Sequence, residues 1–407
     1  MTRDRLPLAL VALTFAACQR PRVEPSPAGS ATPPASVAPS ATPPASRAPP
    51  GGDAPAATQA SPGGLDLAMR DEEVGPLIAR LSEDPGEFPS DNFVSNETSY
   101  LDVAAALRDP RLRGHAYVGV GPEQNLTYLA LLAPRMAYVV DIRRGNLLEH
   151  LVLRGCFEVG ETRAGFLRAL LARDPVGLDA GAAAPEGFAA LAAAFLDAPA
   201  SRALRDEGVA RTQALLLRLR VRPAGDDDAE LERIQDAFFL RGLSLRYSMR
   251  NSAREYPTLG ELLARRDPSG VESSFLASEA AYASVRRLVR ENRVIPVVGD
   301  FGGTRALVAV AAELRARGLV LGVFYTSNVE QYLFEARTYP RFVAAVEAMP
   351  RDDASTLVRV WFDQGRRHPS QQPGQRTTQL AVPANAFLGR AQRHPFKSYW
   401  EVVTQAR

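Results

Sequence analysis

The feature that most constrains the fold is a series of short apolar segments that alternate with helix-like segments. Residues 116–120 and 136–140 are apolar and β-prone, and a segment with helical character separates them. Residues 294–298 and 319–325 repeat the pattern later in the chain. Strands this apolar are typical of parallel sheets that helices cover on both faces. The alternation therefore predicts an α/β fold with a doubly wound, mostly parallel sheet.

A long segment of different character interrupts this alternation. Residues 161–290 are rich in Ala, Leu and Arg, and their apolar positions have mostly helical spacing. The segment follows the second predicted strand, so it predicts a large helical insertion at that point of the sheet. Its arginines are typical of solvated helix faces rather than of a phosphate-binding surface.

The N-terminus predicts export. Two arginines precede an apolar run, residues 6–17, which is too short to span a bilayer as a mature helix. Small residues directly before Cys18 resemble a bacterial lipobox, with Phe15 where leucine is usual. We expect residues 1–17 to be a lipoprotein signal peptide and Cys18 to carry lipid, which places the protein on a membrane of the cell envelope, outside the cytoplasm. An ordinary secretory peptide is the alternative interpretation.

The segment after the signal peptide has a linker composition. Residues 18–64 consist mainly of Pro, Ala, Ser, Gly and Thr, and the sequence ATPPAS occurs twice. Such a segment cannot bury enough apolar surface to offset the entropy of ordering it. It predicts a disordered tether between the lipid anchor and a folded domain, residues 65–407.

Charge and cysteine content exclude several classes of function. The chain has 48 Lys and Arg against 46 Asp and Glu, a net charge of +2, which gives no overall attraction to nucleic acid. Cys156 lies in an apolar run and is expected to be a small buried side chain rather than a reactive thiol. The two cysteines and four histidines have no zinc-binding spacing.

Polar residues and glycines follow four of the predicted strands. Because the carboxyl ends of parallel strands meet at one edge of a sheet, we expect these residues to surround a single cleft. Asp141 follows Gly121 by about 20 residues, the spacing at which an acid can accept the two hydroxyls of a ribose. The candidate ligand contacts are Gly119, Gly121, Glu123, Asp141 and Asp300, and the candidate substrate-facing residues are Tyr325, Asn328 and Glu330.

The segments VGVGPEQ, VVDIRR and VVGDF resemble the class I S-adenosylmethionine-dependent methyltransferase fold, which is Rossmann-like. The resemblance implies that the five candidate ligand contacts hold S-adenosylmethionine and that the three substrate-facing residues lie near a methyl acceptor. The phrases DNFVSNETSY and FYTSNVEQYLF are also similar to a group of uncharacterised bacterial proteins with this core.

The same residues allow structural interpretations. Glu123 stands where a third glycine is usual, and its carboxylate opposes a phosphate, which disfavours a dinucleotide. Gly121 and Pro122 also suit a simple tight turn. Asp141 and Asp300 are possible helix caps, the latter for a helix beginning at Gly302, and Asn328 and Glu330 also fit a capping arrangement. The polar run at residues 95–100 predicts either a lid over the cleft or an N-cap box.

Three functions fit these observations. The first is a membrane-anchored lipoprotein that is non-catalytic or has a changed small-molecule ligand, and we favour it because export separates the domain from the supply of S-adenosylmethionine. The second is an active methyltransferase. The third is an envelope scaffold whose helical insertion, residues 161–290, is the working part. The sequence indicates no particular protein partner or methyl acceptor.

The lipid anchor gives the first testable prediction. Full-length protein produced in a bacterium should incorporate labelled palmitate, and globomycin should block its maturation. Cys18→Ser should abolish the label, whereas Cys156→Ser should leave it unchanged. Label that persists in Cys18→Ser would contradict the anchor, because the lipid would then be attached elsewhere.

Overall fold

The computed structural model describes residues 67–175, 178, 185–249 and 254–405. The predicted signal peptide, Cys18 and tether lie outside the described residues. Gly64–Arg407 form one compact unit. In the part of the chain that the structure describes, no helix combines the length and the apolar character needed to cross a membrane.

The compact unit contains strands, α-helices and short 3-10 helices. The strands are β1 (Ala116–Gly119), β2 (Met136–Asp141), β3 (Val294–Val298), β4 (Leu321–Ser327), β5 (Arg351–Phe362) and β6 (Thr377–Pro383). The helices are α1 (Asp71–Leu81), α2 (Ala104–Leu107), α3 (Gln124–Leu132), α4 (Arg144–Val159), α5 (Arg163–Leu171), α6 (Phe188–Leu196), α7 (Arg202–Arg218), α8 (Asp227–Arg241), α9 (Leu259–Leu263), α10 (Glu279–Arg290), α11 (Ala306–Ala316), α12 (Val329–Glu335), α13 (Tyr339–Ala348), α14 (Ala384–Arg393) and α15 (Tyr399–Gln405). The 3-10 helices are Tyr100–Val103, Pro110–Leu112 and Gly242–Ser244.

The strands form one six-stranded sheet in the order β3-β2-β1-β4-β5-β6. Neighbouring strands from β3 through β5 are parallel, and β6 is antiparallel to β5. Every residue of β1 and β2 is buried, as expected for strands covered on both faces. The predicted α/β class with a mostly parallel sheet is confirmed.

The chain reverses its direction across the sheet at β1. It runs from β1 to β2 and β3 on one side and then returns to β4 on the other side. Because parallel crossovers are right-handed, this reversal moves the connecting helices to the opposite face. The contacts agree: α3 and α4 pack with α10, whereas α11 packs with α1 and α13. The point of reversal lies between β1 and β4, where open α/β sheets bind ligands.

The region between β2 and β3 is largely helical. It contains α4 through α10, and α5 to α10 lie within residues 161–290. Helices α4, α5, α7 and α8 pack against one another. Arg163 is fully buried there, and its guanidinium donates to the carbonyl oxygens of Leu276 and Pro185 at 2.8 Å each. At least this arginine therefore supports packing rather than a solvated face.

Two details of the predicted helices were wrong. The helical spacing of residues 327–349 predicts one long helix, but Arg337, with φ of 57°, separates α12 from α13. Pro340 lies in the first turn of α13, where its missing N–H costs nothing. Pro76 predicts a break in the first helix, yet it lies inside α1. There, Gly75 N donates to Leu219 O at 2.8 Å.

A fully buried ion pair joins α12 to β5. Glu330 Oε1 accepts from Arg359 Nε at 2.8 Å, and both side chains have 0% exposure. Thr326 Oγ1 donates to the same carboxylate at 3.0 Å, and Tyr339 OH donates to it at 3.1 Å. The Arg359 guanidinium also lies 4.8 Å from the centre of the Phe387 ring. The carboxylate therefore has the several partners that a buried charge requires.

Breaking this ion pair should destabilise the fold strongly. Arg359→Met leaves the Glu330 carboxylate buried without its cation, so we expect a loss of about 3–5 kcal/mol in the free energy of unfolding. The double variant Glu330→Gln/Arg359→Met should recover part of that loss, because no unpaired charge remains. Urea unfolding measures both. Arg168→Met, which removes the exposed partner of Asp174, is the control and should change the free energy of unfolding little. Equal losses in Arg359→Met and Arg168→Met would contradict the prediction.

Candidate functional site

The carboxyl ends of four adjacent strands form one edge of the sheet. Strands β3, β2, β1 and β4 are neighbours, and Asp141 at the end of β2 is in register with Val298 at the end of β3. Gly121 follows β1 and Asn328 follows β4. The structure thus places these residues, with Asp300 after β3, along the same edge, which we call the carboxyl edge.

A segment from the N-terminal side, residues 82–99, crosses the carboxyl edge, and we call it the strap. At β3, Ser82 Oγ accepts from Val298 N at 3.0 Å and Glu83 Oε1 accepts from Asp300 N at 2.6 Å. Beyond β2, Gly86 N donates to Ile142 O at 2.9 Å. The strap therefore pairs backbone groups that the ends of β3 and β2 leave unbonded.

The strap continues over β1, β4 and β6. Ser95 N donates to both oxygens of Glu123 at 3.2 and 3.1 Å, beside the turn that follows β1. Glu97 then contacts β4, and Ser99 N donates to Thr377 Oγ1 on β6 at 3.0 Å. The strap thus bonds beside β1 and then to β4 and β6, in the order in which these strands lie along the edge.

Glu97 is the central side chain of the strap. It is 1% exposed, and its carboxylate accepts from Tyr325 OH at 2.7 Å, from Ser327 Oγ at 2.5 Å and from Gln124 Nε2 at 3.0 Å. Burial raises the pKa of Glu97 above its usual value, and these hydrogen bonds oppose that shift. Glu97 occupies the space between β1 and β4 where the sheet reverses direction.

Asn125 holds the turn after β1 that contains Gly121 and Pro122, which we call the glycine turn. Its Nδ2 donates to the carbonyl oxygens of Val120, Gly121 and Pro122 at 3.0, 3.0 and 2.8 Å, and its Oδ1 accepts from Tyr117 OH at 2.7 Å. A Cβ at Gly119 would lie 2.2 Å from Asn125 Oδ1, and Gly121 has φ of 81°. Both glycines are therefore required by the turn itself.

The two candidate aspartates have partners within the protein. Asp141 accepts from Arg143 N at 2.9 Å and from Arg143 Nε and Nη2 at 3.1 Å each. Asp300 Oδ1 accepts from Gly302 N at 2.8 Å. The alternative that Asp300 caps a helix beginning at Gly302 is wrong, because α11 begins at Ala306 and Asp300 instead closes a turn.

The candidate substrate-facing residues do not share one environment. Tyr325 is buried and donates to Glu97, whereas Glu330 lies in the core with Arg359. Asn328 is partly exposed at the start of α12, and its side chain makes no capping hydrogen bond to the described helix. The N-cap box at residues 95–100 is also wrong, since no side chain in the described segment caps the 3-10 helix at Tyr100.

Two buried carboxyl groups lie close to the glycine turn. Burial raises the pKa of Glu123 from 4.5 to about 8, while hydrogen bonds from Ser95 N and other backbone amides lower it. Burial also raises the pKa of Glu149, on α4, well above its usual value, and the charge of Glu123 adds to that increase. Burial thus raises the pKa of both carboxyl groups in the folded protein.

Three of the buried charged side chains described above were not predicted from the sequence. Glu97 lies in a run that was recognised as polar, but nothing in the run distinguished it from its neighbours. Arg359 and Glu149 each carried a usable signal, because each is a charged residue inside an otherwise apolar element, TLVRVWF and NLLEHLVL. A charge at such a position predicts either a buried pair or a ligand contact.

The cavities near the strap are small. One of about 160 Å³ is lined by Asn92, Phe93, Leu240 and Arg241, among other residues. A second, of about 10 Å³, is lined by residues that include Ser95, Glu123 and Leu262. Sites for drug-sized ligands usually have volumes of about 300–1,000 Å³. Within residues 67–405 as described, no three His, Cys, Asp or Glu side chains are placed to hold a metal ion.

The raised pKa of Glu123 makes stability depend on pH. Between about pH 5 and 8 the unfolded chain releases this proton and the folded protein keeps it, so the free energy of unfolding falls as pH rises, by up to about 1.4 kcal/mol per unit. Glu123→Gln should remove this contribution. In urea unfolding, the free energy of unfolding of the variant should therefore increase relative to that of wild type as pH rises. Glu232→Gln, on an exposed part of α8, is the control for net charge. An advantage of Glu123→Gln that is constant with pH would contradict the prediction.

Comparison with known proteins identifies a family but not an activity. No curated protein matches the chain. Residues 92–175 and 232–398 match the profile of a family described as a domain of unknown function, DUF7790. The matched residues include part of the strap, the glycine turn and all eight candidate site residues. Since they make up more than half of the sequence, the protein belongs to the DUF7790 family.

Proposed function

We propose that this protein is a lipoprotein of the cell envelope whose domain has a methyltransferase-like fold but does not catalyse methyl transfer. In this proposal the lipid on Cys18 anchors the domain, residues 18–64 form the tether, and the carboxyl edge has changed or lost its ligand. The N-terminal sequence supports the anchor, and the contacts of the strap support the loss of the cofactor.

The strand order supports the relationship of the fold. The order β3-β2-β1-β4-β5-β6 is that of Rossmann-type sheets, with the last strand antiparallel here. The motifs VGVGPEQ, VVDIRR and VVGDF span the carboxyl ends of β1, β2 and β3, which is compatible with the methyltransferase resemblance. In this proposal the helices between β2 and β3 are an insertion into that sheet.

The observation that carries the proposal is the pairing of polar groups at the carboxyl edge. Asp141, the expected ribose ligand, is bound by Arg143, and the Glu123 carboxylate is bound by the strap amide of Ser95. Tyr325 is bound by Glu97. S-adenosylmethionine would have to replace these contacts in order to bind at the same edge. Because the contacts are intramolecular, they are favoured over a ligand at low concentration.

The test is a titration of detergent-purified, full-length protein with S-adenosylmethionine and S-adenosylhomocysteine. We expect no heat of binding and no change in the melting temperature with either compound. A compound that bound only the folded state would raise the melting temperature.

The matched variants for this test are Asp141→Ala and Asp197→Ala. Asp197 is an exposed acid at the end of α6, away from the four strand ends. A rise in melting temperature that Asp141→Ala abolishes and Asp197→Ala preserves would overturn the proposal in favour of an active methyltransferase.

A further inference from the structure

The charges of the domain are distributed unevenly along the chain. Residues 65–362 contain 36 arginines against 41 Asp and Glu, a net charge of −5. Residues 363–407 contain six arginines and one lysine against two Asp and Glu, a net charge of +5. The near-neutral domain therefore ends in a strongly basic segment. A charge asymmetry of this kind indicates a surface that attracts an anionic partner.

The basic side chains of this segment belong to two parts of the structure that contact the same helix, α15. The first part is the loop between β5 and β6, where the guanidinium of Arg366 lies 3.7 Å from the centre of the Trp400 ring on α15. The second part is the last turn of α14 and the residues after it, where Arg390 Nη2 donates to Gln405 Oε1 on α15 at 3.0 Å. We call the cations of the two parts the C-terminal surface: Arg366, Arg367, Arg376, Arg390, Arg393 and Lys397.

The cations of the C-terminal surface are accessible and have no acidic partners. Arg390 is partly exposed and the other five are exposed. Among the residues that the structure describes, none of the six forms an ion pair with Asp or Glu. The two acids of the segment accept from neutral groups: Asp363 from Gln371 Nε2 at 3.0 Å, and Glu401 from Lys397 N at 2.9 Å. The positive charge of the surface is therefore available to a partner outside the chain.

Both tryptophans of the chain lie at this surface. Trp361, at the end of β5, and Trp400 are partly exposed, and their rings meet edge to face with centres 4.9 Å apart. Trp361 Nε1 donates to Arg366 O at 2.7 Å, which holds the loop against the pair. A guanidinium stacked on an aromatic ring keeps its N–H edge directed outward, where it can donate to phosphate oxygens. Indole rings are enriched at membrane interfaces, because they have an apolar body and a polar N–H.

We propose that the C-terminal surface binds the head groups of an anionic phospholipid bilayer. The six cations provide the charge complementarity, and the two tryptophans favour a membrane interface over a purely ionic partner. The choice of a membrane over nucleic acid rests on the export that is part of the proposed function. The inference goes beyond that function, because a lipid on Cys18 would hold the chain at a membrane without selecting the face of the domain that contacts it.

The expected tether makes weak binding by this surface sufficient. Residues 18–64 would keep the domain near the bilayer, so the C-terminal surface meets head groups at a high effective concentration. Each cation close to an anionic surface should increase the ratio of bound to unbound domain by about fivefold. The binding should also depend on salt, because the Debye length falls from about 10 Å at 0.1 M to about 3 Å at 1 M.

The experiment uses full-length protein reconstituted from detergent into vesicles. All vesicles contain brominated phosphatidylcholine, which quenches tryptophan emission on contact. The remaining lipid is phosphatidylglycerol in one set and ordinary phosphatidylcholine in the other. Because both tryptophans lie at the C-terminal surface, we expect strong quenching with phosphatidylglycerol and little with phosphatidylcholine. Raising the salt concentration from about 0.1 M to about 1 M should reverse the quenching.

A triple variant tests the role of the cations without touching the tryptophans or their contacts. Arg376→Gln/Arg393→Gln/Lys397→Gln removes three exposed charges that have no ion pair, so the melting temperature should stay the same. The ratio of bound to unbound domain, measured from the quenching, should fall by at least tenfold. Arg376→Lys/Arg393→Lys/Lys397→Arg keeps the three charges and should behave as wild type.

The matched control removes the same number of charges elsewhere. Arg202→Gln/Arg287→Gln/Arg290→Gln changes three exposed arginines, one on α7 and two on α10, and should keep the quenching. Equal losses in the two glutamine variants would overturn the inference, because only the total charge would then matter.

The remaining outcomes also decide between the inference and its alternatives. No quenching of wild type with phosphatidylglycerol, or equal quenching in the two sets of vesicles, would overturn it. Tighter binding to duplex DNA or to polyglutamate than to the vesicles would overturn it in favour of nucleic acid or an acidic protein. Cys18→Ser tests the anchor separately: it should still be quenched by phosphatidylglycerol vesicles, at a higher lipid concentration. Failure of lipid labelling at Cys18 would therefore contradict the proposed anchor and leave this inference standing.

Discussion

The structure depends on how the polar groups at the carboxyl edge of the sheet are paired. Parallel strands end there with unbonded backbone groups, and the following turns add carboxylates and hydroxyls. In this protein the strap pairs many of them, and Glu97 alone accepts from β4 twice and from α3 once. An edge that open α/β proteins commonly use for ligands is here part of the protein's own hydrogen-bond network.

The strap also connects the family assignment to the site. The match to the DUF7790 profile begins at residue 92, so Ser95, Glu97 and Ser99 lie inside the family domain. The preceding residues, which bond to β3 and β2, lie outside the matched range. The half of the strap that closes the point of reversal between β1 and β4 therefore belongs to the family domain itself. Residues 176–231, within the helical region, also lie outside the match.

Much of the sheet could be predicted from sequence, because buried parallel strands are continuous apolar runs. The bounds of β3 agreed with the prediction, those of β1 and β2 differed by one residue each, and those of β4 differed by two residues. The pairing of side chains could not be predicted, since it depends on contacts between distant segments. Glu330 illustrates this limit: its position after β4 suggested a ligand contact, but the orientation of α12 turns it toward Arg359. Asp141 likewise follows its strand as expected, and only the structure shows that Arg143 binds it.

The contacts of the strap have a consequence for the order of folding. The strap precedes every strand in the chain, yet Glu83 bonds to a residue 217 positions later and Glu97 to one 228 positions later. Contacts this distant in sequence form slowly, because a long loop must close before they stabilise anything. The strap is synthesised before every strand and is therefore among the last segments to reach its native position. Until β6 has been made, the strap lacks part of the surface to which it bonds.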